Sequence, residues 1–255
     1  MYGDALDILR GSRERLMQGW GNVKALHYKE ADNSASAVTA LDVEIEETVS
    51  KALKGAFPEI EFVGEEKGGK RVGRFWLMDP IDGTAHYIRG TPLCTSMLAL
   101  IEDERVVFGA IYDFVSNRMY HAELGGGSYC NDEKITVSDR NLRAAYVGLE
   151  THYDDSNDMA YFDKLQKRTM LVHTITAGWE LAMVASGRFD GRICLHPFGK
   201  DYDFAPGTLL VKEAGGVVAN IGTTNYDYRN LDFIATNQVI FKELTEGPEA
   251  IFPIT

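Results

Sequence analysis

The run Trp76-Leu77-Met78-Asp79-Pro80-Ile81-Asp82-Gly83-Thr84 carries an apolar stretch straight into two carboxylates, then a glycine and a hydroxyl. Pro80 fixes its own φ and restricts Asp79 to extended backbone, so the turn is stiff and can aim both carboxylates at one point. Hard divalent cations take oxygen ligands of this kind, and a backbone carbonyl such as that of Ile81 adds another. Gly83 lets the backbone approach an anion, and a helix starting near Thr84 would turn free N–H groups toward it. Taken alone, the same four residues are equally well explained as an Asp-rich turn that caps a helix.

Two further acidic positions weigh against that plainer reading. Glu65 follows Phe62-Val63-Gly64 at a strand end, before the loop Lys67-Gly68-Gly69-Lys70. Asp203 opens a helix whose first turn carries Pro206, where proline is tolerated. Singly, Glu65 reads as a solvated charge and Asp203 as an N-cap.

The elements that must position these groups follow from apolar periodicity. The first 28 residues read as helical, and a helix runs from Asp42, as N-cap, to about Phe57, with Ile45, Val49, Ala52, Leu53 and Ala56 on one face. Short strands follow at Glu61–Val63, Phe75–Met78, Ser96–Ile101, Val106–Tyr112, Arg118–Ala122 and Ser128–Tyr129, a largely antiparallel set. The second half alternates: strand Tyr146–Leu149, helix Met159–Lys167, strand Leu171–Val172, helix Gly178–Ser186, strand Arg192–Leu195, helix Phe204–Ala214, then strands Val217–Val218 and Phe233–Ala235. No linker or repeat divides them, so the expectation is one layered α/β or α+β unit.

Composition bounds the chemistry. With 45% hydrophobic and 25% charged residues, the 255-residue chain can bury a sizeable core. No apolar run reaches the ~18 residues of a membrane span, and Met1-Tyr2-Gly3-Asp4 lacks the start of a signal peptide, so a soluble cytoplasmic protein is expected. The net charge of −12 opposes nucleic-acid binding. An anionic substrate is compatible with it where bound cations reverse the local potential. Cys94, Cys130 and Cys194 are odd in number and widely spaced, which argues for reduced thiols. His27, His121, His152 and His173 have no metal-type spacing, so a zinc site is not indicated.

Together, Val38-Thr39-Ala40-Leu41-Asp42, Gly64-Glu65-Glu66, Asp79-Pro80-Ile81-Asp82-Gly83-Thr84, Gly125-x-Gly-x-x-x-Asn131 with Val137-Ser138, and Asp203 before Glu213-Ala214-Gly215-Gly216 resemble the inositol monophosphatase family in order and spacing. The resemblance implies a layered αβαβα fold of the inositol monophosphatase and fructose-1,6-bisphosphatase type. It also implies a homodimer, with two or three Mg²⁺ at the seam between halves of about 1–140 and 141–255. Glu65, Asp79 and the Ile81 carbonyl would hold one metal, and Asp79, Asp82 and Asp203 the second. Thr84 and Asp42 would orient the attacking water on the Glu65 side. Gly83 and Thr84 would grip the phosphate, with Ala177 and His196 on the alcohol part.

Four places depart from the inositol-specific pattern. Tyr202 stands for the Trp before the last metal Asp, Ser36-Ala37 replaces an Asp before the Val-Thr pair, and His86-Tyr87 replaces an Asn-aromatic pair. Thr176-Ala177-Gly178-Trp179 and the longer His196-Pro197-Phe198-Gly199-Lys200 change the alcohol side. His196 is either an ordinary satisfied histidine or a donor to a sugar hydroxyl or second phosphate, with Lys200 or Arg192 nearby. Trp179 reads as core. Inositol monophosphate is the default substrate. Fructose-1,6-bisphosphate, histidinol phosphate, NADP or 3′-phosphoadenosine phosphate are alternatives, and a regulatory or binding protein on the same fold is a reading of another class.

Overall fold

The computed structural model describes residues 2–29 and 37–254; Ser36 of the substituted pair lies outside them. Helices α1 (Tyr2–Gly11), α2 (Arg13–Gly19) and α3 (Ala40–Ala56) form the first layer. The N-terminal 28 residues are not helical throughout. The helix breaks at Ser12, and β1 (His27–Tyr28) pairs antiparallel with β2 (Ala37–Val38).

The N-cap of α3 is Thr39, not Asp42. Thr39 Oγ1 accepts Leu41 N–H at 3.1 Å, while Asp42, three residues on, accepts Thr39 N–H at 2.8 Å. This is a Thr-x-x-Asp version of the capping box. Leu41, Ile45, Val49 and Leu53 line the buried stripe, whereas Ala56 faces solvent in the last turn.

A seven-stranded sheet forms the second layer in simple order: β3 (Glu61–Gly64), β4 (Arg74–Asp82), β5 (Thr95–Glu102), β6 (Arg105–Asp113), β7 (Arg118–Glu123), β8 (Gly127–Cys130) and β9 (Glu133–Lys134). Only β3 and β4 run parallel. Alternation divides the sheet's side chains: Trp76, Met78, Leu98, Leu100, Phe108 and Tyr112 pack on α1–α3, whereas Met97, Ile111, Tyr120 and Ala122 face the other way.

That second face meets α6 (Ala177–Ala185) and α7 (Asp201–Glu213), the middle layer. A Cβ at Gly109 would lie 2.5 Å from the Pro206 carbonyl, so glycine is needed where α7 crosses β6. Because α7 starts at Asp201, Pro206 sits in its second turn rather than its first, and the helix loses one backbone hydrogen bond there.

The fourth layer is a five-stranded sheet in the order β11 (Met170–His173), β10 (Tyr146–Glu150), β12 (Gly191–Cys194), β14 (Phe233–Thr236), β13 (Val217–Asn220). Its outer face is covered by α5 (Ser156–Gln166) and α8 (Gln238–Thr245), around Val147, Leu149, Ile193, Ile234, Phe241 and Leu244. The short α4 (Thr84–Arg89) closes the end of β4. The layering is therefore αβαβα.

Candidate active site

The run that sequence reading treats as a turn after Met78 is instead the end of β4, which continues through Asp82. On a regular strand, residues three apart point to opposite faces. Here Asp79 pairs with Met97 and Asp82 with Thr95, so three steps on β4 match two on β5. This one-residue bulge restores both carboxylates to one side, and Pro80, which has no N–H to give the ladder, sits inside it. Asp79 Oδ1 accepts Ile81 N–H at 2.9 Å and thereby holds the bulge from within.

Asp203 completes the group from the first turn of α7. One carboxylate oxygen from each of Asp79, Asp82 and Asp203 lies within 4.8 Å of the others. Asp79 and Asp82 are 2% and 7% exposed. Asp203 also caps its own helix, accepting the Lys200 N–H, so its capping and clustering roles coexist. Asp82 Oδ2 accepts Gly178 N–H at 2.8 Å and the Thr95 hydroxyl at 3.2 Å, which places the start of α6, with Ala177, against it.

Glu65 stands outside this tight trio. Its Oε1 lies 2.6 Å from Lys29 Nζ, which also reaches Glu66 Oε1 at 3.0 Å. Burial opposes the ammonium, but Glu65 and Glu66 outweigh it and raise the Lys29 pKa. Glu65 remains close enough to be the leading electrostatic cause, after burial, of the raised pKa values of Asp79 and Asp203. For Asp82, burial lifts the pKa from 3.8 to about 6, and the Gly178 N–H and Arg192 pull it back. Three buried carboxyls whose pKa values are raised by burial and by neighbouring carboxylates make a pocket of the kind that a hard cation neutralises. The oxygen-only donor set fits Mg²⁺, and among the described residues no histidine or cysteine joins the trio.

Beside the trio, Gly83 adopts φ 82° as N-cap of α4. A Cβ there would also lie 2.5 Å from Thr176 Cγ2 and 2.7 Å from the Leu93 carbonyl, so both conformation and space require glycine. Thr84 Oγ1 lies 2.9 Å from Asp42 Oδ1 and 2.9 Å from the Ile81 carbonyl. A hydroxyl has one proton, so when it goes to Asp42 both Thr84 lone pairs are left for a water. Burial raises Asp42 from 3.8 to about 6 against the lowering effect of hydrogen bonds from Thr39 and Thr84.

Sequence reading missed three supports. Thr39 donates its hydroxyl to Asp42 Oδ2. Glu46, 1% exposed and one helical turn beyond Asp42, accepts the Glu66 and Lys67 N–H groups at 2.8 and 3.0 Å. It pins the loop that carries Glu65, and a carboxylate on the apolar stripe of Ile45 and Val49 was the available signal. Arg192, noted only as a nearby cation, is 1% exposed and paired with Glu150 and Glu180.

His196 lies two residues beyond the end of β12. Its backbone is left-handed (φ 50°), its N–H donates to Asp232 Oδ1 at 2.6 Å, and its Nδ1 lies 3.1 Å from Asp158 Oδ1. It lines a shallow pocket with His152, Asp154, Asp155 and Asp158. Arg192 is therefore not the free cation that sequence reading offered beside His196, and the pocket at His196 is lined by acidic side chains. Trp179 packs edge-on against Phe189 at 5.5 Å, as core.

The chain matches the model of the inositol monophosphatase family over residues 4–248. It is similar to a Thermotoga maritima fructose-1,6-bisphosphatase/inositol-1-monophosphatase, 29% identical over 95% of this chain and 93% of that one. It is also similar to the Nus factor SuhB of Pseudomonas aeruginosa, 29% identical over 96% of this chain and 94% of the other. The solved structure of a Thermotoga maritima IMPase superposes with a TM-score of 0.83 at 28% identity, covering 93% and 92% of the two chains. The chain belongs to the inositol monophosphatase family.

Proposed function

We propose that this family member is a Mg²⁺-dependent phosphatase that hydrolyses a small phosphate monoester, with inositol monophosphate as its default substrate. The observation that carries the reading is the bulge in β4 that turns Asp79 and Asp82 to one side, where Asp203 meets them. Glu65, Asp79 and the Ile81 carbonyl would hold one Mg²⁺, and Asp79, Asp82 and Asp203 another. When bound, the ions supply acidity to a water, neutralise the phosphoryl oxygens and stabilise the leaving alkoxide.

The chain's own residues do the positioning. Asp42 accepts the Thr84 hydroxyl hydrogen bond, so Thr84 presents lone pairs that hold the attacking water by one O–H and fix its direction. Gly83 lets the phosphate approach the backbone beside Thr84. The start of α6 at Ala177 and the wall at His196 and His152 face the alcohol part. The active site lies at the seam of the two halves, which act as one unit, and we assign the protein to the cytoplasm as a homodimer without nucleic-acid partners, in line with its charge of −12.

Fructose-1,6-bisphosphate, histidinol phosphate, NADP and 3′-phosphoadenosine phosphate are the alternative substrates. The name of the Pseudomonas relative supports a regulatory second role, although a binding module would need neither the trio nor the Thr84–Asp42 pair. A turnover screen over these phosphates with Mg²⁺ and with EDTA tests the reading. Full turnover in chelator, or none on any phosphate, overturns it.

A further inference from the structure

Behind the trio lies a buried charge group of three residues. Arg192, on β12, directs Nη1 to Glu180 Oε2 on α6 and Nη2 to Glu150 Oε2 at the end of β10. Each glutamate spends its other oxygen on backbone. Glu180 Oε1 accepts Ile175 N–H at 2.6 Å, and Glu150 Oε1 accepts Phe198 and Gly199 N–H at 2.9 and 3.0 Å.

The two gripped segments lead to two of the clustered carboxylates. Ile175 begins the entry to α6, whose Gly178 N–H binds Asp82. Gly199 sits where an added Cβ would be 3.2 Å from Asp203 Oδ2 and 2.5 Å from the Phe204 ring. Arg192 itself lies over that ring, 5.6 Å from its centre. A Cβ at Gly148 would fall 2.7 Å from Glu180 Oε2, so the strand leaves room for the group.

Buried ion pairs of this kind add little net stability, because desolvation offsets most of the attraction and apolar residues of equal volume serve as well. What a planar guanidinium adds is a fixed angle between two carboxylates, which lysine cannot reproduce. We infer that Arg192 is a positioning residue: through Glu180 and Glu150 it sets the spacing between the α6 entry on Asp82 and the 198–199 segment on Asp203. The inference rests on the trio being the Mg²⁺ site proposed above.

The test uses two variants that leave the net charge unchanged, so that altered metal affinity reports geometry. Arg192→Lys keeps the charge and loses the fork. Arg192→Met combined with Glu180→Met removes one charge of each sign and restores apolar packing. Mg²⁺ affinity is read by calorimetry on the folded full chain, beside kcat, KM and the melting curve. We expect the Mg²⁺ Kd to rise about threefold or more and kcat to fall about tenfold or more in both, the scale set by small misplacements of catalytic groups. KM should move less, and the double variant, which leaves Glu150 only its Phe198 and Gly199 N–H partners, should melt below the wild type while still folding. If the double variant is stably folded with wild-type Kd and kcat, Arg192 is structural only and the inference is wrong. Absence of wild-type turnover counts against the substrate reading alone, because the calorimetric comparison still decides the role of Arg192.

Discussion

The end of β4 and the 196–200 segment, which the proposed function assigns to the phosphate and the alcohol part, are built in opposite ways. At β4 the groups are buried, each is fixed by a short hydrogen bond, and a contiguous motif supplies most of them. At the wall, His196 has a 62% exposed side chain and its partners Asp158 and Asp232 come from distant parts of the chain. The contrast suits the two tasks that the proposed function gives them. A phosphate is the same in every candidate substrate and rewards a rigid site, whereas the alcohol part differs and is met by side chains that can vary without disturbing the metal ligands.

The comparison breaks first if the buried side is not essential. Asp82→Asn and Asp203→Asn should each lower kcat by about 10² or more, the cost of removing one fixed electrostatic stabiliser. The metal-free protein should keep its fold, since both substitutions relieve repulsion within the trio. Near-normal rates with a normal melting curve would reduce these residues to strand-end and capping roles.

A somewhat smaller loss, about tenfold to 10², is expected for Thr84→Ala, concentrated in kcat rather than KM because the hydroxyl orients water in the transition state. Thr84→Ser should recover most of it, and a change confined to KM would place Thr84 on the substrate instead.

The same burial sets a pH dependence of stability. Asp82 and Asp42 have folded pKa values raised to about 6 from an ordinary 3.8. A carboxyl raised in this way favours the folded state while protonated. Its contribution is fully present below pH ~4 and is lost as pH rises through ~6. Adding Mg²⁺ should therefore raise Tm more at pH 8 than at pH 5. An equal shift at both, measured by scanning calorimetry, would mean that the ion does not bind these carboxylates.

Glu46→Gln sharpens the boundary of the rigid side. Glu46 meets the Glu66 and Lys67 N–H groups with separate oxygens, so the variant keeps an acceptor for one, turns an NH2 toward the other and loses the charge; kcat should fall severalfold, with weaker Mg²⁺ binding through a looser Glu65. The least effect belongs to the wall: His196→Asn should leave kcat within about threefold and act on KM for the alcohol part. A hundredfold loss there would make His196 part of the rigid side.

Much of this arrangement was legible in the sequence, because short-range rules govern it. The apolar run ending in Asp79-Pro80-Ile81-Asp82-Gly83-Thr84 specifies a strand and a glycine before a helix, and the structure has both, whereas the proline-stiffened turn expected after Met78 is a bulge inside β4. The Thr-x-x-Asp cap was legible in principle, but Asp42 was taken for the cap itself because residue type alone does not distinguish N-cap from the third helical position. What lies beyond local rules was decided by packing. The bulge needs β5 as a partner, since only the register against Met97 and Thr95 shows that Asp79 and Asp82 share a side. Asp203 joins them because α7 crosses β6 where Gly109 leaves space. Arg192 reads in sequence as a cation free to meet substrate. Only the tertiary structure shows it enclosed between Glu150 and Glu180, because the charge a side chain meets is set by segments that sequence spacing does not bring together.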